Sequence, residues 1–524
     1  SSSSSSSSSS LSASTLPSSL VRQTFESGSA RFTVQGNQIL VDGHPIYVKG
    51  VCYSPAPIGI NAAYQAPFGD YFTEEYKQLW QRDFPLLVGM GANCIRIYGW
   101  NPDSDHSAFL VYAQEFNLKV VVTYYLGTAT ENPVDTYEAR QAIIRKFAGQ
   151  VEKYAGFPAL MAWSFGNELN GIWNLFLNAF NDVGQCNWNP SLFPGDPTGC
   201  YNNPTTKGPC SVSNDCVYRN FFGFINDAAV AAKAAMGKAS HLVISSFADV
   251  DQLVVRVREF EKYIPQLDAW GAQIYRGNNF GEGDLDFLST FGKSSPKPLL
   301  VTEFGVDSYN DPCGTSNASP CFNTYDDPPT GYGEDQKLQG EWGQTLASLL
   351  MDHSSVDKNG SVAGGFIMAW VDEWWKNSLN VKGCPIKLGE AGFDPNKCDY
   401  KGHVNCPSTD ISQPNLCGYP LDSPFDHYVN EGWFGIMSVS KTGAHTVDKI
   451  RPKVLYGHLK AIWGPALPTT WIWLTSVVVS VSVVLTAVLA LYHLAKTRKA
   501  GRRGVTEQSP LLPMAHKYSH GHEN

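Results

Sequence analysis

The fold class is decided by Leu160-Met-Ala-Trp-Ser-Phe165, which is followed directly by Gly166-Asn-Glu168. This run is apolar without the polar alternation of a half-exposed strand, which is typical of a parallel strand buried on both faces. Polar residues begin again where such a strand would end. We therefore predict a buried parallel strand that ends next to Asn167 and Glu168.

Seven more runs of this kind lie on either side of it, and helical patterns separate several of them. The predicted strands are residues 47–53, 93–98, 119–126, 160–165, 242–247, 269–275, 299–304 and 362–371. The clearest predicted helices are residues 75–88, 107–116 and 136–154. Eight strand–helix units predict an α/β fold, a (β/α)8 TIM barrel over residues 31–463, with a doubly wound open sheet as the alternative.

Short additions are expected at both ends of the barrel. Residues 31–46 look like a hairpin that closes the barrel bottom. Residues 432–441 and 450–463 suggest a last loop and a helix that packs back onto the barrel.

Ten of the twelve Cys residues fall in three loop-like segments that lack a hydrophobic period. Such segments, expected as insertions on the carboxyl side of the strands, are typical places for disulfides in an oxidising compartment. Their pairing stays open within each four-Cys group. Cys52 and Cys94 instead lie in strand-like runs and are predicted to be buried free thiols. Asn317 and Asn359 are weak candidates for glycosylation.

The two ends of the chain differ from the barrel region. Residues 1–30 are Ser-rich and are expected to be disordered, and residues 464–470 form a linker. Residues 471–492 are uncharged and long enough for a membrane span, and basic residues follow in the tail, residues 493–524. This charge bias places residues 1–470, and with them the predicted barrel, outside the cytosol. It therefore predicts a single-pass type I membrane protein, located at the cell surface or in an endomembrane or vacuole. A tail-anchored topology is the competing interpretation.

Two carboxylates fall at predicted strand ends, Glu168 after the fourth strand and Glu303 at the end of the seventh. The carboxyl ends of barrel strands face one cavity, so these distant residues are expected to oppose each other. A retaining glycosidase needs one carboxylic acid to protonate the leaving oxygen and one carboxylate to attack the anomeric carbon. We predict Glu168 as the acid/base and Glu303 as the nucleophile.

This pattern resembles the clan A glycoside hydrolases, and further motifs resemble the fungal β-1,3-glucanosyltransferases of glycoside hydrolase family 72. The motifs are Val48-Lys-Gly-Val-Cys-Tyr-Ser-Pro55, Asn93-Cys-Ile-Arg-Ile-Tyr98 with the preceding Phe84-Pro-Leu-Leu, Asn101-Pro-Asp-Ser-Asp-His106 and Phe247-Ala-Asp-Val250. The chain has Phe165-Gly166 and Phe304-Gly305-Val306 where that family has Ser-Gly before Asn-Glu and Tyr-Gly-Cys after the second Glu. The resemblance implies a β-glucan substrate. Related barrels that act on β-mannan or β-galactosides share much of this core.

Several residues are candidates for binding the substrate. Arg96 is expected to keep Glu303 ionised, and Asn167 to hydrogen-bond the sugar 2-hydroxyl. The resemblance implies that Tyr275 donates its hydroxyl to the nucleophile. Trp370 is a candidate floor under the reacting sugar, and weaker candidates of the same kind are Trp374, Tyr53 and Tyr98.

Other function classes are disfavoured by composition and motifs. The net charge of −9 argues against a nucleic-acid partner. No zinc, phosphate-loop or serine-hydrolase motif is present, so neither metal nor organic cofactor is expected. The alternatives left are a retaining β-glycosidase acting on another β-glycan, such as mannan, and an inactive glycan-binding surface protein.

Overall fold

The fold is built around a closed barrel of eight parallel strands in the order β10-β13-β4-β5-β6-β7-β8-β9. The computed structural model describes residues 31–58, 60, 62, 65–126, 134, 136–170, 212–249, 253–281, 283, 286–310, 333–373, 375, 431–440 and 447–464. The (β/α)8 expectation is confirmed, and the open-sheet alternative is wrong because β10 and β13 complete the ring.

The strands are β1 Phe32–Gln35, β2 Gln38–Val41, β3 His44–Ile46, β4 Val48–Cys52, β5 Cys94–Ile97, β6 Lys119–Tyr124, β7 Leu160–Asn167, β8 Leu242–Ala248, β9 Ala269–Gln273, β10 Leu299–Phe304, β11 Tyr309–Asn310, β12 Gly333–Glu334, β13 Val362–Ile367, β14 Met437–Ser440 and β15 Lys449–Pro452. The α-helices are α1 Lys77–Met90, α2 Ser107–Glu115, α3 Tyr137–Tyr154, α4 Val212–Ala235, α5 Leu253–Phe260, α6 Phe287–Ser294, α7 Gln336–Asp352 and α8 Val454–Trp463.

Burial explains why the barrel strands are apolar without alternation. Every residue of β8, β9, β10 and β13 is buried, because one face packs inside the barrel and the other against helices. Some helices begin at a polar side chain that accepts from a free backbone N–H group: Thr136 accepts a hydrogen bond from Ala139 N at the start of α3 (3.2 Å). All described residues lie in one compact unit, residues 1–464.

Two additions to the barrel differ from the expectation. The predicted hairpin at residues 31–46 is a three-stranded antiparallel sheet, β1-β2-β3. Residues 432–441 are not only a loop, because β14 pairs with β15 as an antiparallel hairpin. The final helix accordingly begins at Val454 rather than at residue 450.

A fully buried ion pair joins this C-terminal segment to the barrel. Lys453 Nζ lies 2.7 Å from Asp372 Oδ1, and both side chains have no exposed surface. The same ammonium donates to Ser308 Oγ at 2.8 Å and to Trp433 O at 3.3 Å. Ser308 follows β10 and Asp372 follows β13, so one lysine holds the loops after two neighbouring strands of the barrel.

The described residues test only some of the sequence predictions. Cys52 and Cys94 are buried and free, as predicted. The side chains of the other ten Cys residues, and residues 1–30 and 465–524, lie outside the described part of the chain. Among the described residues, no helix is both long and apolar enough to cross a membrane. The predicted span, residues 471–492, is not among them.

His241, just before β8, gives the barrel a dependence on acid. Its Nε2 donates to Ala155 O at 2.8 Å, and its ring packs edge-on against Phe32. Burial lowers the pKa of His241 to about 4, although the hydrogen bond to Ala155 opposes the shift. The unfolded chain therefore binds a proton near this histidine's ordinary pKa of 6.5, whereas the folded chain does not.

We expect this histidine alone to lower the free energy of unfolding by about 2 kcal/mol between pH 7 and pH 5. The loss begins as the pH falls below about 6.5 and stops growing near the folded pKa of about 4. Urea unfolding at both pH values measures it, with His241→Gln as the matched variant, because Gln can keep the bond to Ala155 without titrating. An equal pH dependence in the variant would contradict the assignment.

Candidate active site

The end of β7 makes a sharp turn that presents Glu168. Gly166 has φ +80°, and a Cβ at this position would lie 2.4 Å from Leu169 Cδ1, so a side chain does not fit there. Glu168 also has a left-handed φ of 50°, which few residues other than glycine adopt. Its backbone N–H donates to Ser246 O on β8 at 2.9 Å, which fixes the turn. Backbone strain of this kind is common at functional sites.

Glu303, near the end of β10, is held by four donors. Its Oε1 accepts from Arg96 Nη1 at 2.6 Å, Tyr98 Oη at 2.6 Å and Gln273 Nε2 at 2.8 Å. Its Oε2 accepts from Tyr275 Oη at 2.9 Å. Only 7% of the residue is exposed. The carboxylate is thus buried, oriented and paired with a buried guanidinium, which fixes one position for its oxygens.

Asn167 is tied to the same cluster from the opposite side. Its Oδ1 accepts from Arg96 Nη2 and from Gln273 Nε2, both at 2.6 Å. Because both neighbours are donors, the amide oxygen must face them, which settles the orientation of the side chain. Arg96 and Gln273 therefore link the end of β7, next to Glu168, to Glu303 on β10.

Burial is the main reason that the hydroxyl donors of this cluster stay protonated. Burial raises the pKa of Tyr275 well above its ordinary value, and the negative charge of Glu303 raises it further. The pKa of Tyr98 is also raised well above its ordinary value, chiefly by burial, although Arg96 opposes the shift. Both tyrosines thus remain hydrogen-bond donors at neutral pH.

Burial and neighbouring charges also set the pKa values of Arg96 and Cys52. Burial acts to lower the pKa of Arg96, but Tyr98 and Glu303 outweigh it, so its pKa lies above the ordinary value. Burial, followed by the charge of Glu303, raises the pKa of the Cys52 thiol to about 12. Cys52 therefore stays neutral beside the cluster.

The structure gathers most of the predicted site residues at the carboxyl end of the barrel. Joined directly by hydrogen bonds are Arg96, Tyr98, Asn167, Tyr275 and Glu303. Glu168 adjoins Asn167 in the chain and is partly exposed. The chemical roles given to these residues stay predictions.

Tyr53 does not belong to this group, which corrects the sequence expectation. Its hydroxyl donates to Asp83 of α1 at 2.9 Å, and its ring packs against Phe72 and Phe84. Its neighbour Cys52 faces the inside of the barrel, where its Sγ contacts Thr302 O. Because successive strand side chains point to opposite faces, Tyr53 faces the helices instead.

The predicted tryptophans have different outcomes. Trp370 is fully buried just past β13, where its backbone N–H donates to Cys52 O at 2.9 Å. Its role as the floor under a sugar stays a prediction. Trp374 lies outside the described residues.

Gln273 is the site residue that the sequence analysis missed. It lies two residues before Tyr275 in the predicted strand 269–275, and it is the one amide side chain in that run. Residues two apart in a strand share a face, so the choice of Tyr275 already implied that Gln273 points into the barrel.

Comparisons with known proteins agree with part of this picture. A family model described as Glucanosyltransferase matches residues 22–179. Protein EPD1 of Candida maltosa is 23% identical over 175 residues, which are 32% of this chain and 31% of that protein. The chain thus matches about a third of the length of this relative.

Solved structures with some similarity include two bacterial β-glucuronidases. That of Bacteroides uniformis has a TM-score of 0.40 at 15% identity and covers 65% of this chain and 32% of its own. That of Ruminococcus gnavus has a TM-score of 0.44 at 14% identity and covers 83% of this chain and 53% of its own.

The family match contains Arg96, Tyr98, Asn167 and Glu168, whereas Glu303 and Tyr275 lie beyond it. The barrel nevertheless joins residues inside the family match to residues beyond it in one hydrogen-bonded cluster. The members are Arg96, Tyr98, Asn167, Tyr275 and Glu303. In sequence over residues 22–179, this chain resembles the glucanosyltransferases of glycoside hydrolase family 72.

Proposed function

We propose that the protein is a retaining β-glycoside hydrolase or transglycosylase that acts by double displacement on β-glucan. Within that class, we propose β-1,3-glucan as the substrate. The observation that carries the proposal is the buried Glu303 carboxylate, held by Arg96 and linked through Asn167 to the turn that presents Glu168. The match to the glucanosyltransferase family supports the substrate class.

The unequal hydrogen bonding of Glu303 supports Oε2 as the attacking atom. Oε1 accepts from three described donors, whereas Oε2 accepts from Tyr275 alone among the described side chains. The less occupied Oε2 keeps a lone pair for the anomeric carbon, and Oε1 anchors the side chain. Tyr275 remains protonated and stays bonded to the reacting oxygen.

The reaction then takes two steps. In the first, Glu303 Oε2 bonds to the anomeric carbon while the bond to the leaving oxygen breaks and Glu168 transfers its proton to that oxygen. In the second, Glu168 takes a proton from water or a sugar hydroxyl, whose oxygen attacks the anomeric carbon and breaks the ester to Glu303. Water gives hydrolysis, and a sugar hydroxyl gives transfer. The Nδ2 of Asn167 donates to the 2-hydroxyl of the sugar throughout.

The proposed location follows from the sequence. The uncharged residues 471–492 and the basic tail support a membrane anchor with the barrel on the extracellular or lumenal side. A glycan-remodelling enzyme on that side would meet polysaccharide at the cell surface or in a vacuole.

Covalent labelling tests the proposed function. A 2-fluoro-glucoside with a good leaving group should form a stable ester, because fluorine slows both steps and the good leaving group restores the rate of the first step only. Mass spectrometry of peptides is expected to find the label on Glu303. Incubation with laminari-oligosaccharides then separates transfer, which yields products longer than the substrate, from hydrolysis. Labelling by a mannoside but not by a glucoside, or no labelling by either, would contradict the β-glucan proposal.

A further inference from the structure

We propose that Gln273 is a positioning residue that holds the Asn167 amide in register with Glu303, so that Asn167 meets the sugar 2-hydroxyl at the transition state. This inference rests on the proposed glycosidase function. Nothing in the sequence motifs or in the family match, which ends at residue 179, assigns a role to Gln273.

The position of Gln273 in the barrel lets one side chain reach both halves of the site. It pairs in register with Glu303 between β9 and β10, and Asn167 pairs with Ser246 between β7 and β8. Its Nε2 donates to Asn167 Oδ1 at 2.6 Å and to Glu303 Oε1 at 2.8 Å. Gln273 on β9 therefore links the neighbouring strand β10, which carries Glu303, to the end of β7, which lies beyond β8 and leads to Glu168.

The orientation of this amide is fixed by its neighbours. Asn167 Oδ1 and Glu303 Oε1 are both acceptors, so a reversed amide would place oxygen against oxygen. Gln273 Oε1 is buried and makes no hydrogen bond to a described residue. An unsatisfied buried acceptor costs about 1–3 kcal/mol, so a purely structural role would not favour glutamine here. The two donated hydrogen bonds are the gain that offsets this cost.

The two bonds differ in how much depends on them. Without Gln273, Glu303 Oε1 keeps Arg96 and Tyr98, and Oε2 keeps Tyr275. Among the described residues, Asn167 Oδ1 then keeps Arg96 as its one donor, and a single bond lets the amide rotate. The loss of Gln273 should thus act mainly through Asn167. Contacts to the 2-hydroxyl strengthen at the oxocarbenium-like transition state, so kcat should fall more than KM rises.

The test compares Gln273→Met with the wild type on an aryl β-glucoside and on its 2-deoxy analogue. We expect kcat/KM to fall about 10- to 100-fold on the glucoside, with most of the loss in kcat, because a misplaced Asn167 amide loses the hydrogen bond to the 2-hydroxyl that strengthens at the transition state. On the 2-deoxy substrate, and in an Asn167→Ala background, the same substitution should cost less than about 3-fold.

Thr123→Val is the matched control, because Thr123 also carries a buried oxygen without a hydrogen-bond partner among the described residues, on barrel strand β6. It should leave both substrates unaffected. Equal losses on the two substrates, or an undiminished loss in the Asn167→Ala background, would overturn the inference while leaving the nucleophile in place. A wild type without activity on any β-glycoside would instead overturn the proposed function and this inference with it.

Discussion

Replacing Glu303 by Gln is expected to lower kcat/KM by at least about 10⁴-fold, since removing a nucleophile from a preorganised site abolishes the covalent route. Gln fills the same volume, and its one carbonyl oxygen can still accept from Arg96 and Tyr98, so the fold should persist. Initial rates on an aryl β-glucoside measure the effect, and urea unfolding checks that the variant is folded. Thr123→Val serves again as the control for a buried substitution in the barrel.

Stereochemistry makes this prediction specific to a nucleophile. In Glu303→Ala the vacated space admits azide, which attacks an activated β-glucoside from the face that the carboxylate used and gives the α-glycosyl azide. The azide product is identified by NMR. A rate within about 100-fold of the wild type for Glu303→Gln, or a β-configured azide product from Glu303→Ala, would mean that Glu303 does not attack the sugar.

Replacing Glu168 by Gln should have an effect that depends on the leaving group. General acid catalysis contributes about 10²- to 10⁴-fold, so the variant should lose about 10³-fold on an oligosaccharide, whose leaving oxygen needs a proton. A dinitrophenyl glucoside leaves without one, so its first step should proceed. The glycosyl-enzyme should then accumulate, because no base remains to activate water.

Burst kinetics and azide measure this second prediction. Dinitrophenol should be released in a burst equal to the enzyme concentration, followed by a slow steady rate that azide accelerates. The product should be the β-glycosyl azide, because azide now replaces water in the second displacement. If oligosaccharide and dinitrophenyl glucoside lose rate equally and no burst is seen, Glu168 is not the acid/base.

Much of the barrel could be predicted, because its strands are buried on both faces. That environment favours a mostly apolar run such as residues 299–304, and β10 has those bounds. The β14–β15 hairpin escaped prediction for the opposite reason. β15, Lys449–Pro452, has no buried residue, so nothing in its composition distinguishes it from a loop.

The site shows the same division. Glu168 and Glu303 could be found because strand ends meet at one face of a barrel, whatever their separation in sequence. Whether a strand-end side chain points into the barrel depends on whether it lies an odd or an even number of residues from an inward-facing neighbour. This rule decides the positions of Tyr53 and Gln273. Tyr53 is one residue from the inward-facing Cys52 and so faces α1, whereas Gln273 is two residues from the inward-facing Tyr275. Hydrogen bonding between distant strands, as at Gln273, leaves no local pattern.

The ion pair between Lys453 and Asp372 limits where the C-terminus of the barrel unit can be truncated. The ammonium of Lys453 neutralises the buried carboxylate of Asp372. Its loss would leave that negative charge buried without this counterion, which would lower the free energy of unfolding by about 3–5 kcal/mol. Recombinant versions that stop ahead of residue 453 therefore lose part of the barrel unit's own scaffold. Those that run through Gly464 keep every residue of it that the structure describes.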